Sequence, residues 1–194
     1  MRLILASASP RRAELLRAAG ISFDVFPVEI DERFHERERP EQAVARVAEA
    51  KARTAAALHP DSVVLGADTT VVIRGEVLGK PADAPDAARM LRLLSGCTHD
   101  VLTGLCVFAQ ERHLVHVEPT RVRMASLSDA EIAWYVSTGE AADKAGAYAI
   151  QGLASRFIEG IEGSYSNVVG LPISRVCELL RQLGCDILGT TKTQ

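Results

Sequence analysis

The sequence lacks most of the features that mark specialised classes of protein. Only 5% of its 194 residues are aromatic, while 47% are hydrophobic and 24% charged, which is ordinary globular composition. No run of about 18 apolar residues occurs, so no membrane span is expected. The first residues turn polar at Ser7, too early for the apolar core of a secretory signal. The composition predicts a cytoplasmic protein without a membrane partner.

A large excess of positive or negative charge is also absent. The chain has 22 basic and 25 acidic residues, a formal net charge of −3 and a pI near 6.0. Such a chain has no general attraction to a nucleic-acid backbone, so a polymer partner is not expected. A small anionic ligand held by a few local cations remains compatible with this balance.

Two common site patterns are absent as well. The four cysteines have no C-x-x-C spacing and no nearby histidines at finger-like spacing, which predicts buried, reduced thiols of a cytoplasmic protein. The phosphate-binding pattern G-x-x-x-x-G-K-[ST] does not occur either. A zinc finger and a Walker A loop are therefore both excluded.

The segments that are present alternate between strand and helix patterns, which predicts an α/β protein. Ser128 and Glu131 have the spacing of a capping box at a helix start. We expect strands over 3–6, 21–28, 63–65 continuing through 71–73, 98–109 and 113–125, and helices over 10–19, 41–58, 85–95, 129–138 and from 172.

Asp68 is the first residue that a purely structural account explains poorly. It lies between the apolar runs Val63–Leu65 and Val71–Ile73. A carboxylate buried there is costly unless a cation satisfies it. One interpretation is a turn-forming aspartate at a strand end. The other is a carboxylate that faces a cleft and acts as a general base or metal ligand.

Lys51 is the second such residue. At 100° per residue it falls in the middle of the apolar stripe of the helix 41–58. It is either a lysine that extends along the rim of the core towards solvent, or a cation that meets an anion in a cleft. The stripe consists of Val44, Val47, Ala48, Ala55 and Leu58.

The junction Ser7-x-Ser9-Pro10-Arg11-Arg12 joins a strand to a helix. Free amides at a helix N-terminus, hydroxyl groups and guanidinium groups together suit an oxyanion, and the arginine fork suits phosphate. Similar sequences are also common on surfaces without any ligand.

Three further segments complete the candidate chemistry. Gly79-Lys80-Pro81 and the stretch 143–148 could each be simple turns. Residues 29–32 are acidic and could be a solvated loop or could supply oxygen ligands for Mg²⁺. Cations for a polyphosphate, carboxylates for a hard metal and a candidate base together suit phosphoanhydride hydrolysis.

Seven blocks, in one order, resemble the Maf-type nucleoside triphosphate pyrophosphatases over nearly the whole chain. The resemblance implies an elongated α/β fold with a mixed sheet, formed by one domain over 1–194 with two lobes around one central cleft. It also implies hydrolysis of the α–β phosphoanhydride bond with Mg²⁺ or Mn²⁺. The blocks are LILASASPRRAELL (3–16), EAKAR (49–53), VLGADTTVV (64–72), LGKPADA (78–84), MLRLLSGCTHDVLTG (90–104), DKAGAYAIQG (143–152) and GSYSNVVGLP (163–172).

The resemblance assigns roles to single residues. Asp68 corresponds to the proton acceptor that activates water, and it could also bind the metal. Glu32 matches an acidic position linked to the metal, although the choice among Glu29, Asp31 and Glu32 stays open. Phosphate contacts are implied for Ser9, Arg12, Lys51 and Lys80. Specificity-setting positions are implied for Arg11, Thr69 and Gln151.

The block KAGAY-x-IQG resembles the subgroup that acts on dTTP and UTP, so the expected partner is a small nucleotide. Family members often form homodimers. Two alternatives remain: a pyrophosphatase for modified purine nucleotides, and a nucleotide-binding regulator of septum formation that does not hydrolyse its ligand.

Overall fold

A computed structural model describes residues 2–185 of the chain. These residues form an α/β structure, so the predicted fold class is confirmed. The strands are β1 (Leu3–Leu5), β2 (Asp24–Val25), β3 (Val63–Ile73), β4 (Glu76–Leu78), β5 (Thr98–Ala109), β6 (Arg112–Met124) and β7 (Ile158–Glu162). The helices are α1 (Pro10–Ala18), α2 (Pro40–Leu58), α3 (Ala84–Leu94), α4 (Asp129–Ser137), α5 (Tyr165–Val169) and α6 (Ile173–Gln182), with 3₁₀ segments at Ala145–Ala147 and Leu153–Phe157.

The strands form one mixed sheet in the order β2-β1-β3-β5-β6-β7, with β4 paired to β3. Strand β1 is parallel to both β2 and β3, whereas β4 and β7 are antiparallel to β3 and β6. Among the helices of residues 2–185, none combines the length and the hydropathy needed to cross a membrane.

The described chain divides into two compact units. The first unit comprises residues 2–68, 103–118 and 170–185, and the second comprises 69–102 and 119–169. The boundary within β3 falls directly after Asp68. The expected single domain with a cleft between two lobes stays a prediction.

The first unit is a three-layer structure in which alternate residues of the sheet face opposite helix layers. Leu3 and Leu5 of β1 belong to a cluster with residues of α1 and α6. Ile4, which lies between them, packs in a second cluster with residues of α2. Both faces of the sheet are therefore buried in this unit, as expected where parallel strands lie at the centre of a fold.

Helix α2 lies unusually close to the sheet because two glycines remove the side chains between them. A Cβ atom on Gly66 would lie 2.2 Å from the carbonyl oxygen of Ala48. A Cβ atom on Gly104 would lie 2.1 Å from the carbonyl oxygen of Val44. Real Cβ atoms do not approach backbone this closely, so this packing requires glycine at both positions.

Two local predictions are wrong. The strand expected over 21–28 is reduced to Asp24–Val25, because the Ile21 amide instead donates to Leu16 O at the end of α1 and Pro27 has no N–H. Leu58, which was placed on the apolar stripe of α2, is 63% exposed. It is the last residue of α2, beyond the part of the helix that covers the sheet.

In the second unit, the capping box of α4 is confirmed. Ser128 Oγ accepts a hydrogen bond from the Glu131 amide, and the Glu131 carboxylate accepts one from the Ser128 amide. Helix α3 packs against α4 and buries one apolar face, formed by Ala87, Met90, Leu91 and Leu94. Strand β7 and helix α5 were not predicted.

We expect Gly66→Ala to destabilise the protein by about 1–3 kcal/mol, since the added methyl group would meet the backbone of α2. Urea denaturation measures this loss. Gly79→Ala is the matched control, because a Cβ atom there meets nothing within 4 Å. Equal unfolding midpoints for the two variants would contradict the close packing.

His99 should make the stability depend on pH. Burial lowers its pKa to about 4, whereas an unfolded histidine titrates near about 6.5. The unfolded chain therefore binds a proton first, and stability present above pH 6.5 is lost as the pH falls towards 4.

Between pH 7 and pH 5, the free energy of unfolding of the unmodified protein should fall by about 2 kcal/mol more than that of His99→Gln. Denaturant titration at both values measures this difference, and His113→Gln controls for removing a histidine as such. Parallel pH profiles for the unmodified protein and His99→Gln would exclude the effect.

Candidate active site

A lysine held between two carboxylates forms the centre of the candidate site. Lys51 Nζ lies 2.9 Å from Asp68 Oδ1 and 2.8 Å from Glu32 Oε1. The Lys51 side chain is 8% exposed, that of Asp68 13% and that of Glu32 54%. The prediction that Lys51 lies on the buried face of α2 is confirmed, and of its two interpretations the structure shows a cation that meets anions.

The close packing of α2 brings these groups together. Side chains two residues apart on a strand point to the same face, so Asp68 shares with Gly66 the face of β3 that α2 covers. Lys51 lies next to Ala52, whose Cβ would lie 2.9 Å from a Cβ on Gly66. A bulkier residue at position 66 would move α2 away and separate the ammonium group from the carboxylate.

The three charged groups leave the centre with a formal charge of −1. A buried ammonium group needs a partner, and here it has two. Because one of the two carboxylates is not neutralised by Lys51, the centre can still attract a cation. A pair of carboxylates matches the ligand preference of Mg²⁺, which is typically bound by one or two carboxylates plus waters and substrate phosphates.

Among the acidic residues 29–32, the structure distinguishes Glu32. Asp31 forms a two-pronged ion pair with Arg33, which holds the pKa of that carboxyl well below its usual range. Glu29 is exposed. Within the described range 2–185, no group of three or more His, Cys, Asp or Glu side chains is arranged to hold a metal. A cation bound here would therefore depend on Glu32, Asp68 and non-protein ligands.

Arg12 is buried, and its guanidinium group donates to acceptors within the protein. The sequence did not predict these acceptors. Arg12 Nη1 donates to Ser7 Oγ at 2.9 Å and to Ala67 O at 2.8 Å, and its Nε donates to Gly170 O at 2.9 Å. Burial lowers its pKa, while the negative charges of Asp68 and Glu32 oppose that shift. Arg12 thus anchors the peptide that precedes Asp68.

The remaining residues of the Ser7–Arg12 junction lie at the start of α1. Ser9 occupies the N-cap position, but its side chain makes no capping hydrogen bond. The first turn of α1 contains Arg11 and Arg12 and no acidic residue. Two cations at the positive end of a helix are unfavourable by themselves, so this arrangement is suited to an anion.

The other predicted residues belong to the second unit. Thr69 is half-buried directly after Asp68, while Lys80 and Gln151 are exposed. The Gly146 amide donates to Gly79 O at 3.0 Å, so the turn that carries Lys80 is joined to the segment that carries Gln151. The substrate contacts assigned to these three residues stay predictions.

We expect Lys51→Met to destabilise the protein by about 2 kcal/mol, because it leaves two neighbouring carboxylates without their cation. Urea denaturation measures the loss. Arg53→Met, which removes an exposed cation from the same helix, is the control. If both variants lose the same small amount, the lysine contributes no more than a surface charge.

Comparison with known proteins identifies the family of the chain. The model of the Maf family, described as Maf-like protein, matches residues 2–183. A dTTP/UTP pyrophosphatase of Koribacter versatilis (strain Ellin345) is 55% identical over 184 residues, which cover 95% of each chain. A dTTP/UTP pyrophosphatase of Symbiobacterium thermophilum is 52% identical over 185 residues, again covering 95% of each.

A search of solved structures finds a nucleoside-triphosphatase/dITP/XTP pyrophosphatase from Mycobacterium abscessus. It has 16% sequence identity and a TM-score of 0.44, and the match covers 95% of this chain and 97% of that one. The family assignment depends on the sequence matches, which extend over nearly the full length. The chain belongs to the Maf family.

Proposed function

We propose that the chain is a nucleoside triphosphate pyrophosphatase that hydrolyses dTTP and UTP to the monophosphate and pyrophosphate. The observation that carries the proposal is the mostly buried Asp68 carboxylate, which Lys51 holds at 2.9 Å. Curated relatives with 52–55% identity over 95% of the chain bear the name dTTP/UTP pyrophosphatase, which supports the substrate.

In this proposal Asp68 accepts a proton from water. The water oxygen forms a bond to the α-phosphorus, the bond from the α-phosphorus to the bridging oxygen breaks, and pyrophosphate leaves with that electron pair. Lys51 orients the carboxylate towards the water, and Arg12 holds the Ala67–Asp68 peptide through Ala67 O. Fixed geometry of this kind supplies much of the advantage of an enzyme over free solution.

A divalent cation fits the donor set of Glu32 and Asp68. These two carboxylates would hold Mg²⁺ or Mn²⁺, which when bound neutralises charge that develops on the phosphates. Asp68 would then serve both as metal ligand and as proton acceptor. Ser9, Arg12, Lys51 and Lys80 complete the proposed phosphate contacts.

Base selectivity is assigned to Arg11, Thr69 and Gln151. Polar groups matched to a base edge reject other bases strongly, because the wrong base leaves them unpaired. The methyl group that distinguishes thymine from uracil is worth only about 1 kcal/mol in an apolar pocket. At the base, therefore, we expect only weak discrimination between thymine and uracil.

We also propose that the enzyme removes unwanted nucleotides in the cytoplasm. A further part of the proposal is that it forms a homodimer. A pyrophosphatase for modified purines keeps the same chemistry, and a Gln151→Ala variant with unchanged nucleotide preference would favour it. A nucleotide-binding regulator without turnover does not need a carboxylate paired with a buried lysine, so the Lys51–Asp68 pair favours the enzyme.

We expect Asp68→Asn to lower kcat for dTTP and UTP by about 10²–10⁴-fold, because an amide cannot accept the proton. Phosphate release coupled to inorganic pyrophosphatase measures turnover across a panel of nucleotides with Mg²⁺. The control is Asp61→Asn, which neutralises an exposed aspartate between α2 and β3. Turnover by Asp68→Asn at the unmodified rate would exclude Asp68 as the base.

A further inference from the structure

Two side chains accept hydrogen bonds from the backbone on either side of Gln151. The Tyr135 hydroxyl accepts a hydrogen bond from the Ala149 amide at 3.1 Å. The two oxygens of the Glu140 carboxylate lie 3.1 and 3.0 Å from the Leu153 amide, which donates to them. Gln151 is therefore an exposed residue whose chain neighbours two positions away are both held by side chains from outside the segment.

The two holding residues are also close to each other. Tyr135 is fully buried in α4, and burial, followed by the effect of the neighbouring Glu140 carboxylate, raises the pKa of its hydroxyl. The hydroxyl stays protonated at neutral pH and accepts from the Ala149 amide. Tyr135 and Glu140 hold the backbone on either side of Gln151, and the pair is called the clamp below.

The absence of a side chain at Gly152 makes room for the Glu140 carboxylate. A Cβ atom at position 152 would lie 1.6 Å from Glu140 Oε1, so the carboxylate occupies the space of the missing side chain. Glu140 also accepts at the first amide of the 3₁₀ segment Leu153–Phe157. The ring of Phe157 packs edge-to-face on Tyr135, with centroids 5.9 Å apart. These contacts fix the position of both ends of the clamp.

The residues that precede Ala149 are held by contacts other than the clamp. His99 Nε2 lies 2.8 Å from the Tyr148 hydroxyl, and both side chains are buried. The Gly146 amide is bonded to Gly79 O. The clamp therefore acts on the few residues around Gln151, rather than on the segment as a whole.

We propose that Tyr135 and Glu140 are positioning residues that fix the backbone around Gln151 and thereby set the base selectivity of the enzyme. The inference rests on the proposed function, in which Gln151 contacts the base. A flexible backbone would let the Gln151 amide group rearrange to pair with a wrong base. A fixed one leaves the wrong base unpaired, and this difference produces the discrimination.

The test compares kcat/KM for dTTP, UTP and dCTP in the unmodified protein, Tyr135→Phe, Glu140→Gln and Gln151→Ala. We expect Tyr135→Phe to reduce the preference for dTTP over dCTP by about fivefold to tenfold, the value of one lost hydrogen bond, and Glu140→Gln, which keeps one acceptor oxygen, to reduce it by less. The change should fall mainly on KM. Tyr165→Phe and Glu159→Gln, which alter exposed groups of the second unit, are the matched controls.

A double-variant cycle separates positioning from general loosening of the fold. In Tyr135→Phe/Gln151→Ala the preference should fall no further than in Gln151→Ala alone, because the clamp acts through Gln151. Thermal melts show whether every variant is folded. If Tyr135→Phe unfolds at a lower temperature than the unmodified protein, the cycle is repeated with Glu140→Gln in place of Tyr135→Phe.

Unchanged preference in both clamp variants overturns the inference, and so does an additive fall in the double variant. A Gln151→Ala enzyme with unmodified preference overturns it too, while turnover of dTTP and UTP would leave the proposed reaction intact. If the unmodified protein releases no pyrophosphate from dTTP or UTP, the proposed function itself fails.

Discussion

The close approach of α2 to the sheet is the constraint on which the site depends. Gly66 and Gly104 bring the backbone of a 19-residue helix against β3 and β5, where any side chain would collide with it. Alanines on the facing side of α2 keep the layer thin. Lys51 can then end beside Asp68, because a strand residue two positions beyond Gly66 faces the same helix.

Stability alone does not account for the charges at this centre. Removing a lysine and two carboxylates from water costs free energy, and apolar residues of similar volume often stabilise a fold equally well. The arrangement instead holds one carboxylate in a defined position between fixed cations. Arg12 adds a second fixed cation behind the same peptide through Ala67 O. Buried charges that cost free energy of folding are typical of functional sites.

Each unit contains its own polar network. In the first unit, Lys51 and Arg12 organise the part of β3 that carries Asp68. In the second unit, Tyr135 and Glu140 organise the backbone around Gln151. Both networks use buried donors and acceptors to hold backbone or carboxylate groups, so that Asp68 in the first unit and Gln151 in the second each keep a defined local geometry.

Local patterns in the sequence were sufficient for α2, for the capped start of α4 and for the burial of Lys51. Periodicity and caps depend on residues within one or two turns, so they can be read without the fold. The tertiary structure alone decided the short β2, the exposed end of α2 at Leu58 and strand β7, which exists through its pairing with β6. It also decided the acceptors of Arg12, one of which lies 158 residues away. Contacts between distant segments leave no periodic signal, because they depend on how the backbone is packed and not on neighbouring residues.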